Sequence, residues 1–469
     1  MTATTQELAG FVAGLSYDAL PAEVRERAKA LALDLTGIML RARNDAESTP
    51  AMISAARRLG LADGPCTVIG DAHGYSPAGA AMVNGTLAHS LDFDDTHAPG
   101  SLHPSAPIIP AAFAAAEMAG SDGKAAIAAI VAGYEVQIRL SLALDPAAHY
   151  DRGFHPTATC GAFGAAAAAG RLLGLDADGH ANSFGIVLSM AAGSMQFLVN
   201  GAWTKRSHVG HAAMCGLTAA TLAAEGYKGA AAALEGKWGF LHAYAPSADV
   251  AKAVNGLGSR WETLKIAVKP YPSCRYSHAA IDGLLALAHE HGIRAEDVEE
   301  VMVGLPEPGW KIIGDPEAAK QSPASVVDGQ FSMAFCAAVA LRTGGLGWDD
   351  YARHLADPAT LALCKRVRTR IDPRAQADFP AEMSAAVQVK TARGTFERYV
   401  KVPKGEPANF LSAAELRAKF DALAGPCLTA RRRDELASAL LGLEKARDVA
   451  AMLRLARPEE AGARRAAAA

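Results

Sequence analysis

The chain has 469 residues, of which half are hydrophobic, 6% are aromatic and 44 are glycine. This balance favours helices packed through small side chains over an aromatic-rich β fold. Lys and Arg total 46 against 49 Asp and Glu, a net charge of -3, so there is no cationic footprint and nucleic acid is not an expected partner.

The seven cysteines are odd in number, widely spaced and never in C-x-x-C order. That argues against a disulfide framework, a structural zinc or a clustered iron–sulfur site and points to a reducing cytoplasm. The start, "MTATTQELAGFVAGLSYDAL", carries Glu7 and Asp18 and lacks a basic region. No run reaches the ~18 uninterrupted apolar residues that span a bilayer, so neither targeting nor a membrane is expected.

From Thr5 to about Glu262 the pattern is helix after helix, punctuated by turns such as "LGLADGP" and "MAGSDGK", which predicts an all-helical domain over 1–264. Beyond "KIAVKPYPSCRYSH", the runs "VEEVMVGLP", "CKRVRTRIDP" and "AAVQVKTARGTFERYVKV" read as strands, the last a hairpin turning at Ala392 to Gly394. Helices interleave with them, giving a smaller α+β domain over 265–405. The segment 406–469 returns to helix, with Ser412 and Glu415 in capping-box spacing, and is expected to pack back on the first domain with a disordered extreme tail. The expected fold class is mainly α.

Two stretches, "SLHPSAPIIPAAF" and "GFHPTATCGAF", place His103 and His155 immediately before a proline at the mouth of a small-residue helix. Proline suits a first helical position. The positive end of the helix dipole keeps a histidine there neutral and able to accept a proton. Lys205, Arg206 and His208 crowd the start of another such helix, and Arg275 and His278 a fourth. Basic residues are unfavourable at helix N-termini, so four basic starts mark a pocket for a small polycarboxylate. In "AHSLDFDDTH", a helix would set His89, Asp92 and Thr96 on one face. Asp92 is then expected to orient a histidine or lysine or to move a proton, and Asp94 and Asp95 to serve capping or helix contacts. The aspartates lack D-D-x-x-D order, and no metal is expected. No G-x-G-x-x-G follows a strand, which leaves a nucleotide cofactor unsupported.

The blocks "MVNGTLAHSLDFDDTH", "HPSAPIIPAAFAAAE", "GYEVQIRL", "GFHPTATCGAFGAAAAAGRLLGL", "KRSHVGHAA" and "YPSCRYSHAAID" resemble the MmgE/PrpD family in order and spacing. That family contains 2-methylcitrate dehydratase, cis-aconitate decarboxylase and iminodisuccinate epimerase. The resemblance implies a homodimer with a large helical domain, a smaller α/β lid and a cofactor-free active site. It carries active-site roles onto Asp92, Thr96, His103, His155, Lys205 and His278. Where decarboxylases look to have a tyrosine in the helix after "QF", this chain has Met333, which counts against a decarboxylase; the basic helix starts and the family blocks together lead to the expectation of a hydro-lyase of the 2-methylcitrate dehydratase type. In that reading His103 or Asp92 removes the α-proton and His278 protonates the departing hydroxyl. Lys205, His155 and Arg275 stabilise the enediolate, while Thr96, Arg206 and His208 join Arg275 in substrate binding. An epimerase, a decarboxylase or a non-catalytic helical binding protein are the alternatives.

Overall fold

A computed structural model describes residues 3–459. The fold is mainly α. Among the described residues the sheets are a two-stranded pair, Cys66–Thr67 with Gly74–Tyr75, and one four-stranded mixed sheet. The chain divides into two compact units. One runs to Ala267 and resumes at Ala413; the other is Val268–Ser412.

In the first unit, the helices Pro77–Ala88, Ser105–Ala119, Gly123–Leu144, Pro156–Leu172 and Thr204–Ala224 pack on one another. Their small residues have a steric purpose. A Cβ on Gly85 would stand 2.7 Å from the Gly210 Cα, and one on Gly164 would stand 2.7 Å from the Gly133 carbonyl oxygen. These crossings are therefore backbone on backbone, and one added methyl would force the helices apart. Gly85 and Gly210 thereby set where the Thr204–Ala224 helix, with Lys205 in its first turn, lies against the Pro77–Ala88 helix.

The helix Gly123–Leu144 is long and apolar enough to cross a membrane by length and composition, yet 94% of its most apolar window is buried inside the protein. Its buried charges are paired internally. Arg139 Nε bonds Glu135 Oε2 at 3.0 Å, and its Nη1 donates to the Asn255 carbonyl at 2.7 Å. Glu135 also accepts from the Thr263 N–H and hydroxyl at 2.9 and 2.8 Å. A buried charge is tolerated only with such partners, and their presence identifies a core helix.

The C-terminal helix Ala413–Ala424 lies against Ala22–Asp45. Gly37 makes room for Phe420, whose Cδ2 would be 3.1 Å from a Cβ there, and Lys419 Nζ pairs with Asp34 Oδ1 at 2.7 Å. The disordered tail expected from sequence falls largely on residues 460–469, outside the described residues.

The second unit is built on a sheet ordered Val367–Ile371, Val298–Leu305, Ala385–Thr391, Gly394–Val400. The first pair is parallel and the other two antiparallel. Thr391 pairs with Gly394, so the hairpin turns on Ala392 and Arg393. The strands alternate β-branched residues as the sequence pattern requires, and Val298, Val301, Val303, Val387 and Val389 are buried with the helices His278–His291 and Met333–Thr343.

Candidate active site

The Pro77–Ala88 helix stops earlier than the sequence reading assumed. His89 is its C-cap, and residues 90–95 form an irregular turn in which Asp92 takes a left-handed conformation, φ 51°. His89, Asp92 and Thr96 therefore do not share a helical face. The turn instead sends its three aspartates in three directions.

Asp92 Oδ1 receives the Lys205 ammonium at 3.0 Å. Burial alone would depress the lysine, but Asp92 and Asp94 outweigh it and hold its pKa above the ordinary value. Lys205 is thus a fixed positive charge, and its side chain remains 28% exposed.

Asp94 turns inward and is fully buried. Its Oδ2 lies 2.7 Å from His89 Nδ1 and 3.2 Å from His103 Nδ1. The His89 contact is a hydrogen bond; the His103 nitrogen is buried and off the hydrogen-bonding line. Burial would raise the Asp94 pKa, and the two imidazoles bring it well below the carboxylate range instead. Burial pushes His89 down to about 4, against the pull of Asp94, so His89 is neutral near pH 7.

Asp95 caps the next helix. It accepts the Ser105 N–H at 3.1 Å and the Ser105 hydroxyl, which also meets the Tyr134 hydroxyl at 2.6 Å. The capping role expected of both carboxylates therefore belongs to Asp95 and not to Asp94. The reason is dihedral: a left-handed Asp92 rotates its neighbours away from a helical screen.

His103 precedes Pro104, which is the N-cap rather than the first residue of Ser105–Ala119. Its backbone N–H donates to Thr157 Oγ1 at 3.2 Å, which ties one His-Pro segment to the other. His155 is the N-cap of Pro156–Leu172, with proline in the first turn, and its N–H is held by the Gly193 carbonyl at 2.9 Å. Gly193 sits at φ 153°, where a Cβ would come 2.8 Å from Ala158 Cβ. The rings gather around His89, whose centroid is 4.7 Å from His103 and 5.8 Å from His155. His208 Nδ1 lies 3.4 Å from His155 Nδ1, and Phe197 stands 6.1 and 5.8 Å from the two rings. Burial first, then the charges of His89, Lys205, His103 and His208, push His155 well below the imidazole range. His208 is lowered by burial and by His211 and Lys205.

The structure thus brings Asp92, His103, His155, Lys205 and His208 together. Thr96 follows on the same turn, its backbone paired with Ala267 and its Oγ1 buried without a hydrogen-bond partner. Arg206 turns toward Ser48 Oγ at 3.2 Å, with its guanidinium 5.8 Å from the Trp203 ring centroid. His278 and Arg275 belong to the second unit. There His278 opens the His278–His291 helix with Nε2 3.3 Å from the Ser273 carbonyl, and Arg275 pairs with Glu406. Burial pushes Arg275 down to about 10, against the charge of Glu382. Ser273 bonds Ser277 at 2.8 Å and does not cap the helix, whose N-cap is Ser277.

Sequence reasoning gave no role in the chemistry to His89 or Asp94. The signal available was a histidine five residues before an aspartate, which is meaningful only once the intervening turn is known. Among the described residues, His89, Asp94 and His103 also form a group able to ligate a cation, with ligating atoms within 4.8 Å of one another. Both imidazoles aim Nδ1 at one carboxylate oxygen, so a cation there would displace that pairing.

Residues 6–253 match the MmgE/PrpD N-terminal domain and residues 271–443 the MmgE/PrpD C-terminal domain. The chain is similar to the cis-aconitate decarboxylase-like protein oryM of Aspergillus oryzae, 29% identical over 96% of both chains. It is similar to cis-aconitate decarboxylase of Aspergillus terreus, 28% identical over 96% of this chain and 95% of that one. The cis-aconitate decarboxylase of Mus musculus is 26% identical over 96% of this chain and 92% of its own.

Proposed function

Because the chain belongs to the MmgE/PrpD family, we propose that it is a lyase that acts on a small di- or tricarboxylate through a carbanion formed next to a carboxylate. The observation that carries this reading is that one turn of chain, 92–94, holds the charged Lys205 on Asp92 and sets the imidazole of His103 beside Asp94. A carbon acid of this kind is very weak, and its enediolate-like state needs fixed positive charge in a site sheltered from water. Lys205 supplies the charge, neutral imidazoles at His155 and His208 supply N–H donors, and His103 moves the proton. The protein's own side chains suffice for this chemistry.

Two bond cleavages fit the same groups. Loss of carbon dioxide is supported by the relatives matched along nearly the full chain, two cis-aconitate decarboxylases and one cis-aconitate decarboxylase-like protein. Loss of water from a 2-methylcitrate-like hydroxy acid rests on the sequence resemblance, in which Met333 replaces a tyrosine of the decarboxylases; the thioether itself is buried in the second unit's core. Incubation with cis-aconitate, citrate and 2-methylcitrate, read by released carbon dioxide and by alkene absorbance, separates them. Carbon dioxide from cis-aconitate selects decarboxylation and a new alkene from 2-methylcitrate selects dehydration. Silence with all three removes the lyase reading. A cytoplasmic homodimer completes the proposal, and light scattering at twice the chain mass tests its stoichiometry.

A further inference from the structure

We propose that Asp94 is the positioning residue for proton transfer by His103: its Oδ2 is shared between His89 and His103, fixing the His103 ring with Nδ1 inward and leaving Nε2 for substrate. The kinetic part of this proposal rests on the lyase reading above; the pairing itself does not.

Three observations converge. Asp94 is fully buried, and its other oxygen, Oδ1, has no hydrogen-bond partner, so Oδ2 is the oxygen that meets both rings. His89, also buried, donates from Nδ1 at 2.7 Å and anchors the carboxylate from behind. His103 lies on the open side with its side chain 16% exposed; its Nδ1 is 3.2 Å from the same oxygen, and no described residue hydrogen-bonds its Nε2. Leaving a carboxylate in such a place is costly unless charge or hydrogen bonds compensate it. His89 supplies one such bond. A second imidazole that becomes positive during turnover completes the compensation.

The proton balance is simple. When the substrate C–H bond breaks, its electron pair stays on carbon and the proton forms the Nε2–H bond of His103. The resulting imidazolium keeps its Nδ1–H on Asp94, which accepts a hydrogen bond and takes no proton. In the reverse sense, Nε2–H breaks and the proton goes to carbon. The off-line geometry at His103 fits a contact that tightens when substrate or positive charge arrives. A buried carboxylate that orients an imidazole and stabilises its charged form is worth orders of magnitude in rate in other proton-transfer sites.

The test uses the full-length protein. Wild type is expected to show two slowly exchanging imidazole N–H proton resonances, that of His89 downfield and that of His103 moving downfield when a carboxylate such as cis-aconitate is added. His103→Gln should remove one and Asp94→Asn both. With whichever carboxylate is turned over, Asp94→Asn should lower kcat by about 10²-fold or more with KM changed less than about threefold. A folded Asp94→Asn protein with kcat within about threefold of wild type, or with either resonance retained, overturns the proposal. If Asp94→Asn does not fold, wild type against His103→Gln decides: an unchanged pair of resonances overturns the assignment, and loss of one supports it. If wild type turns over none of the carboxylates, the lyase reading fails, and the resonances alone judge the Asp94 pairing.

Discussion

Lys419 donates its ammonium to the Phe93 carbonyl at 3.2 Å from a helix 326 residues further along the chain, and the same ammonium lies 3.9 Å from the Phe93 ring centroid. Phe93 is the residue between Asp92 and Asp94. The C-terminal segment therefore holds the backbone of the turn that sends one carboxylate to Lys205 and the next to His103, and Asp34 at 2.7 Å compensates the buried charge.

Lys419→Met removes one partner of this buried pair. Asp34, whose pKa burial raises against the pull of Lys419, is left alone, and the loss is expected to be about 3 kcal/mol or more. Urea unfolding measures it. Adding Asp34→Leu should recover most of that stability, because two apolar groups replace two buried charges. Activity should stay low in the double variant, since the Phe93 carbonyl has still lost its donor.

Lys205→Ala is expected to lower kcat/KM by about 10² or more while the melting temperature moves little. The side chain is 28% exposed, so its removal leaves a small hole in folding terms and a large one in charge. Comparable losses in rate and in stability would make Lys205 a structural residue instead.

At Asp92 the backbone and the side chain can be separated. Asn tolerates the left-handed φ of 51°, so Asp92→Asn should keep its stability and lose rate as Lys205 is released. A β-branched residue does not tolerate it. Asp92→Val should lose the same rate and roughly 1–2 kcal/mol of stability besides, a difference that thermal and urea unfolding resolve.

Asp95 predicts a pH dependence. Burial first, with Ser105 opposing and Asp94 reinforcing, pushes its carboxyl from the ordinary 3.8 up to about 8. The folded protein then holds a proton that the unfolded chain has released, so this group erodes stability as pH rises from about 4 to 8. His89, lowered to about 4, acts in the opposite sense below about 6.5, where the unfolded chain binds the extra proton and stability falls as pH drops. Between about 6.5 and 8 Asp95 is therefore unopposed by His89. Asp95→Asn should gain stability relative to wild type across that interval in urea titrations. A constant difference with pH would mean that Asp95 is ionised in the folded state.

The helices, the four strands of the second unit and the hairpin between the last two, expected to turn at Ala392 to Gly394 and found to turn one residue shorter, were legible in sequence because their signals are local. Apolar periodicity, proline at a first turn and a run of β-branched residues act within a few positions of themselves. The small residues of the first unit announced close packing for the same reason, although which glycine met which was not written in them. His103, His155 and Lys205 stood out because a basic residue at a helix start opposes the helix dipole wherever the helix ends up.

The division of labour within "DFDD" was decided elsewhere. Read as a helix, that stretch aligned Asp92 with His89 and left Asp94 to capping or helix contacts; in the fold, a left-handed residue changes the assignment. The backbone reaches that conformation in company with Lys419, a side chain hundreds of residues away. Sequence by itself determined which chemical groups this protein has and which helix ends carry them, since those depend on neighbours along the chain. Only the tertiary structure decided which carboxylate meets which cation, because hydrogen bonds and charge pairing act over a few ångströms of space whatever the separation in sequence.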